Sequence, residues 1–303
     1  PALRFCEDAL RIMRAVRFAA VLDFSIEEET WSAMRTLAHT LDRIAVERLR
    51  VELDKALLGD GVQRAFTDYA PVLIQVLPEV APCIGFQQRN RYHPLDVWEH
   101  TLLAVKLAEK ERDVRLALLL HDLGKPASFT VDQQGNGHFY GHPFKSEELA
   151  AQILRRLRYD NETIRCVTRL VRHHDDGIGD STASIRRWLN RLGEDVFCKL
   201  LQVKLGDRAA HAEPYATQGL AHIRALMPLV EKVLAEDACF RRENLAINGR
   251  DLMELGLFPG PQPGKALDAV LERVLDEELP NRREALLAWV EENWGMEKPS
   301  GGV

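Results

Sequence analysis

The sequence is poor in the features that mark secreted, membrane-spanning or low-complexity chains. No apolar run in its 303 residues approaches the ~20 needed to cross a bilayer, and the start shows no leader pattern. Five cysteines, at 6, 83, 166, 198 and 239, form no CxxC pair. That argues against a disulfide or zinc framework; the expectation is reduced, mostly packed thiols in a cytoplasmic protein with no membrane partner. Basic residues are not in excess, since 40 Lys and Arg stand against 46 Asp and Glu, for a net charge of -6. A nucleic-acid coat is thereby disfavoured, although a local basic face remains compatible with the total. No internal repeat or low-complexity tract occurs. Methionine is missing from the first position, where Pro1 opens the chain within a helical pattern, so a piece of something longer is expected.

What is present is helical periodicity. Hydrophobic residues make up 46% and charged residues 28%, a soluble composition on a chain long enough for a substantial core. In residues 7–22, Ala9, Ile12, Met13, Val16 and Ala20 form an apolar stripe, with Glu7, Arg11 and Arg14 on another face. Ser25 is the expected N-cap of a second helix with acidic residues in its first turn. A third runs from about Val46 to Leu58 and stops at Gly59. Residues 59–94, broken by Gly and Pro, are expected to be short helices and connectors. A larger helical unit follows, interrupted by a small hairpin near 128–140 where β-leaning runs flank a Gly/Asn turn. Asn248 is placed to cap a short helix before the PGPQPG loop, two further helices complete the pattern, and the end is expected to fray. The fold class is all-α.

Ionisable residues then appear where apolar ones belong. His100 aligns with Val97, Ala104 and Leu107; His174 extends the stripe Ile164, Val167, Val171; Asp207 extends Val196, Leu200, Val203. His121-Asp122 ends the run LALLL, and His142 opens a helix between Gly141 and Pro143. A buried, unpaired aspartate costs several kcal/mol or is protonated, by the general magnitudes; a cation removes that penalty. Adjacent residues on a helix point about 100° apart, but at a helix end His121 and Asp122 can converge on one ion, and Asp122 has two oxygens with which to bridge two. A single-ion site needs only His100, His121, Asp122 and Asp207. His142 and His174 extend it to two ions. His173 lies off its stripe and is set aside, and His138 is left to the hairpin. Mixed imidazole and carboxylate ligation suits iron, manganese, nickel, cobalt or zinc without choosing among them. Each histidine alone is more often a core residue bonded to a carbonyl than a ligand, so the expectation rests on the ordered set.

The series H…HD…D on successive helices resembles the HD superfamily of metal-dependent phosphohydrolases, and His142 and His174 resemble its two-ion members. The resemblance implies a metal-assisted attack on phosphorus at His121 and Asp122, with Lys125 holding a phosphate; the alternative for Lys125 is a solvated loop lysine. The opening RFCEDALRIMRAVRFAAVLDFSIEEET resembles the neck of bacterial CCA-adding tRNA nucleotidyltransferases, the class that includes poly(A) polymerase. In that family E-D-x-x-R, here Glu7-Asp8-Ala9-Leu10-Arg11, reads the edge of incoming CTP or ATP. Aspartate accepts from an exocyclic amino group and arginine donates, from positions i and i+3 that share a helix face. R-x-x-R-F-A matches Arg14 to Ala19, so Asp8, Arg11, Arg14 and Arg17 are the implied nucleotide-binding residues.

The resemblance continues through LLHDLGKP, GHPFKSEELA, LVRHHD and the tail INGRDLMELGLFPGPQPGKALDAVLERVLDEELPNRREALL. It implies a neck over 1–62, a helical connector over 63–94, an HD domain over 95–245 and a tRNA-binding tail over 246–303. Implied partners are the acceptor end of tRNA, CTP and ATP, in a monomer or homodimer. The implied cofactor is a divalent ion at the HD site (nickel, manganese, iron, cobalt or magnesium). The family's catalytic head, with its own magnesium carboxylates, has no match in these residues, so nucleotide addition is not expected without it. Phosphatase or 2′,3′-cyclic phosphodiesterase activity is expected of the HD site. Two other readings stay open at this point: a free-standing HD phosphohydrolase acting on a small nucleotide, and an RNA-binding module whose metal is structural.

Overall fold

The computed structural model describes residues 1–235 and 241–294; Cys239 and the tail end expected to fray lie outside them. About 70% of the chain is helical, with one two-stranded sheet among the described residues, so the all-α expectation holds. The chain folds into two compact units, one of residues 1–176 and 198–223, the other of residues 177–197 and 224–303.

The first unit opens with α1 (Ala2–Glu7) and α2 (Leu10–Leu22). The single helix expected over 7–22 is therefore broken: Asp8 is extended, at φ -150°, and its Oδ1 accepts from Leu10 N, the first residue of α2, at 3.1 Å. The apolar stripe is as expected, with Ile12, Met13, Val16 and Ala20 all at 0% exposure. α3 (Glu28–Leu37) is capped by Glu27, which accepts from Glu29 N and Thr30 N. Ser25 does not cap it, because its hydroxyl accepts from Arg64 at 2.8 Å. A 3-10 segment, Ala38–Arg43, leads to α4 (Val46–Leu57), then α5 (Val62–Asp68), α6 (Ala70–Val76) and a second 3-10 segment, Pro78–Cys83.

α7 (Val97–Leu107) starts in a reciprocal capping box between Asp96 and Glu99. Its stripe is buried at Val97, His100 and Ala104 but ends there, since Leu107, the last helical residue, is half exposed. α8 (Arg112–Leu120) is the most deeply packed segment, with Leu116 to Leu120 at 0–1% exposure. Arg115 is buried on it, and donates to the carbonyls of Leu57, Gly59, Ala108 and Glu109. These carbonyls lie at the ends of α4 and α7, where no intrahelical partner exists. α9 (Lys125–Ser128) precedes the hairpin of β1 (Thr130–Val131) and β2 (Gly137–His138), which is antiparallel with Thr130 opposite His138. α10 (His142–Arg156) and α11 (Asn161–His173) form an antiparallel pair.

In chain order α12 (Thr182–Leu192), α13 (Glu194–Ala209) and α14 (Tyr215–Ala235) follow. The second unit ends in α15 (Gly249–Glu254), capped by Asn248 as expected, then α16 (Pro261–Leu275) and α17 (Arg283–Asn293). Ile247, Leu252, Leu267, Val270, Val274, Leu286 and Val290 make its core. Among the described residues no helix is long and apolar enough to cross a membrane. Of the described cysteines all are free; Cys83 and Cys166 are buried, but Cys6 and Cys198 are exposed rather than packed.

Candidate functional site

His100, His121, Asp122, His142, His174 and Asp207 come together in the first unit, each 6% exposed or less. The helix ends supply most of them: His121 is the residue after α8, His174 the residue after α11, and His142 the first of α10. Two glycines permit the approach. A Cβ on Gly206 would lie 2.8 Å from Leu118 Cδ1 and 3.1 Å from Ala104 O, so its absence lets α13 carry Asp207 against α7 and α8. A Cβ on Gly124 would lie 2.6 Å from His142 O.

The imidazoles share one arrangement. Nδ1 of His121, His142 and His174 donates to the carbonyls of Leu118, Phe139 and Val171 at 2.6, 2.9 and 2.7 Å, and Nδ1 of His100 donates to Ala210 O at 3.3 Å. Every Nε2 is thereby turned inward, the orientation that backbone carbonyls impose on metal-ligating histidines. Nε2 of His100 is 3.0 Å from Asp207 Oδ1, and Nε2 of His121 is 3.1 Å from Asp122 Oδ2 and 3.6 Å from Asp207 Oδ1. The other oxygen of Asp122 faces His142 Nε2 at 3.4 Å and His174 Nε2 at 3.8 Å. Those two Nε2 atoms stand 3.2 Å apart. With both Nδ1 protons committed to carbonyls, neutral imidazoles would oppose two lone pairs there.

The charges agree with a cation-seeking cluster. Burial works against the charged form of Asp122, but His121 and Lys125 outweigh it and hold the carboxyl well below its usual range. Burial also opposes a charge on His121, yet Asp122 and Asp207 push that imidazole up to about 10. Burial keeps His174 well below its ordinary value. His121 Nε2 and both oxygens of Asp122 lack an aligned hydrogen-bond partner, although Lys125 Nζ makes an ion pair at 2.6 Å with Asp122 Oδ2. The two Asp122 oxygens, with His121 Nε2 once a cation has displaced its proton, are a donor set that fits a divalent ion.

Lys125 is not the solvated loop lysine of the alternative reading. It is 4% exposed on α9 and donates to Gln88 Oε1 at 2.8 Å. His173 bonds Asp176 instead of entering the cluster, and His138 bonds Asp132 in the hairpin. Periodicity overlooks His93 and His211. Their rings pack on each other and on His100, and His211 Nε2 is 3.6 Å from Asp207 Oδ1. The i, i+4 spacing from Asp207 is a signal for His211, whereas His93 lies in an irregular segment that has no period to betray it. A cavity of about 690 Å³ opens above the cluster, with Arg91, Lys125 and Arg208 among its lining residues.

At the start of the chain, Asp8 and Arg11 do not share a helix face, because Asp8 lies in the break. Asp8 Oδ2 meets Arg48 at 3.2 Å, and Arg11 is paired with Glu7 at 2.9 Å. Arg17 is held by Glu52 at 2.7 Å and covers the Phe18 ring. Arg11, Arg14, Ala15 and Phe18 line a recess of about 310 Å³.

Residues 142–290 match the family model described as tRNA nucleotidyltransferase domain 2, and residues 23–82 match the probable RNA and SrmB-binding site of polymerase A. An A-adding tRNA nucleotidyltransferase of Deinococcus radiodurans is 34% identical over 95% of this chain and 70% of its own length. A CC-adding tRNA nucleotidyltransferase of Thermus thermophilus is 33% identical over 93% of this chain and 67% of its own. The crystal structure of the Bacillus stearothermophilus CCA-adding enzyme in complex with CTP superposes with a TM-score of 0.61 at 26% identity, covering 95% of this chain and 62% of that one. From the fold of its helices and the identity it shares with these enzymes along nearly its whole length, this chain belongs to the tRNA nucleotidyltransferase family.

Proposed function

We propose that the chain is the neck, body and tail of a tRNA nucleotidyltransferase that matures tRNA 3′ ends with CTP and ATP, and that its body carries an HD-type, metal-dependent phosphohydrolase site. The proposed parts are a neck over 1–62, a connector over 63–94, an HD domain over 95–245 and a tRNA-gripping tail over 246–303. Base selection is assigned to Asp8 and Arg11, with Arg14 and Arg17 assisting; Arg14 lies beside Arg11 on the recess, and Arg17 is held by Glu52. Asp8 and Arg11 are paired with Arg48 and Glu7, so nucleotide binding exchanges these exposed pairs, each worth little in water, for base contacts. The nucleotide-adding chemistry is assigned to the family's head, outside these residues.

The observation that carries the hydrolase reading is the four inward Nε2 atoms around two buried carboxylates. His100, His121, Asp122 and Asp207 would hold one divalent ion; Asp122, His142 and His174 would hold a second. When bound, such ions supply Lewis-acid chemistry toward a phosphoryl group. The protein's own contribution is to keep the imidazoles oriented by backbone carbonyls, to keep Asp122 ionised, and to aim Lys125 into the cavity from Gln88. Arg91 and Arg208 add positive charge among the cavity's lining residues. The products expected are those of phosphatase or 2′,3′-cyclic phosphodiesterase action.

The test is metal analysis of the purified protein together with a screen of phosphomonoesters and 2′,3′-cyclic nucleotides in added nickel or manganese. Bound metal and hydrolysis, both lost in Asp122→Ala, are expected; a metal-free, inactive wild type under these conditions refutes the hydrolase reading. Asp8→Ala with Arg11→Ala is expected to abolish CTP and ATP binding, and unchanged binding refutes the neck assignment.

A further inference from the structure

The cavity above the cluster is larger than a phosphate requires. Its volume, about 690 Å³, falls in the ~300–1,000 Å³ range of sites that enclose small organic ligands. Asp122, His142, His174 and Asp207 line it, as does the hairpin with Phe139 and Tyr140 behind it. That hairpin is unusually well organised for an exposed pair of two-residue strands. Asp132 accepts from Gln134 N at 2.9 Å, from Asn136 N at 2.9 Å and Nδ2 at 3.0 Å, and from His138 Nε2 at 3.0 Å. The anchored His138 ring lies parallel to Tyr140, with an interplanar angle of 7° and centroids 5.3 Å apart. Tyr140 is nonetheless 76% exposed, so it covers no core. A flat ring held on a braced support, at the wall of a cavity with cationic and carboxylate–imidazole lining, has the shape of a stacking surface.

We propose that Tyr140, backed by His138, is the base-stacking platform of this site, and that the ligand is a nucleoside phosphate whose phosphate reaches the carboxylate–imidazole cluster while its base lies on Tyr140. The proposal rests on the phosphohydrolase reading only for what becomes of that phosphate.

Calorimetric titration of the full chain and of its Tyr140→Ala and Tyr140→Phe variants, with guanosine 3′-phosphate and with ribose 5-phosphate, tests it. Guanosine is used because the neck motif is assigned to adenine and cytosine. Tyr140→Ala is expected to weaken guanosine phosphate binding about tenfold or more, the usual scale of one lost base stack, and to leave ribose phosphate unchanged. Tyr140→Phe is expected to bind like wild type. No binding of guanosine phosphate by wild type, equal binding by Tyr140→Ala, or an equal loss for both ligands in Tyr140→Ala overturns the proposal. Tyr140-dependent binding without hydrolysis in added manganese or nickel would instead overturn the hydrolase reading and leave the platform standing.

Discussion

Asp54 and Tyr159 illustrate how single residues tie α4 to the turn between α10 and α11. The Tyr159 hydroxyl donates to Asp54 Oδ1, and burial raises the Asp54 carboxyl above its ordinary value while that bond works the other way. A carboxyl raised in the folded state binds its proton more tightly there than in the unfolded chain, so its contribution falls as pH rises from about 4 through the folded value. Asp54→Asn should therefore lose this segment of the pH dependence. Urea midpoints of variant and wild type, measured between pH 4 and 7, should converge toward the acid end; a constant difference would exclude the linkage. Lys204 does its work through backbone oxygens. It is 2% exposed and donates at 2.6 Å to both His174 O and Asp176 O, joining the helix that carries Asp207 to the end of the helix that presents His174.

At the scale of elements, the site is made largely of helix ends rather than helix faces. α8 and α11 stop just before His121 and His174, and α10 begins at His142, so small shifts of whole helices change the distances within the cluster directly. Gly206→Ala places a Cβ 2.8 Å from Leu118 Cδ1 and 3.0 Å from Ala108 Cβ. Overpacking of this kind costs about 1–3 kcal/mol. It should displace Asp207 from His100 as well, seen as a lowered melting temperature together with reduced metal stoichiometry; an unchanged stoichiometry would show that α13 yields without moving its aspartate. Arg115 performs the opposite service, filling the bare carbonyl ends of α4 and α7 so that both helices terminate against α8 with their last acceptors satisfied.

Taken as a whole molecule, the first unit holds two ionised carboxylates and four histidines in its interior, an arrangement that a bound cation stabilises by mass action. At an ion concentration 100 times its dissociation constant the gain is about 2.7 kcal/mol. Chelation should lower the melting temperature of wild type and leave Asp122→Ala unmoved; equal shifts in the two proteins would point to a nonspecific effect of the chelator. The net charge of -6 adds a second expectation. The proposed tRNA binding would have to come from local clusters of Arg and Lys, so affinity for an acceptor minihelix should fall steeply between about 50 and 200 mM salt, whereas a flat dependence would argue against phosphate contacts.

Local spacing is enough to dictate the helical class, the cap at Asn248, the helix end near Gly59, and the set His100, His121, Asp122, Asp207. An ionisable residue at a position reserved by period for an apolar one is visible without coordinates. Other features are settled in three dimensions. Ala9 and Leu10 carry no signal of the break at Asp8, which is closed by Asp8 itself and stabilised by Arg48 forty residues away. Ser25 has the chemistry of a cap but does not act as one, because Arg64, remote along the chain, occupies its hydroxyl. His93, Gln88 and the burial of Lys125 follow from which irregular segments fold over the cluster. Side-chain partners distant along the chain leave no periodic trace, and these are the contacts that packing chooses.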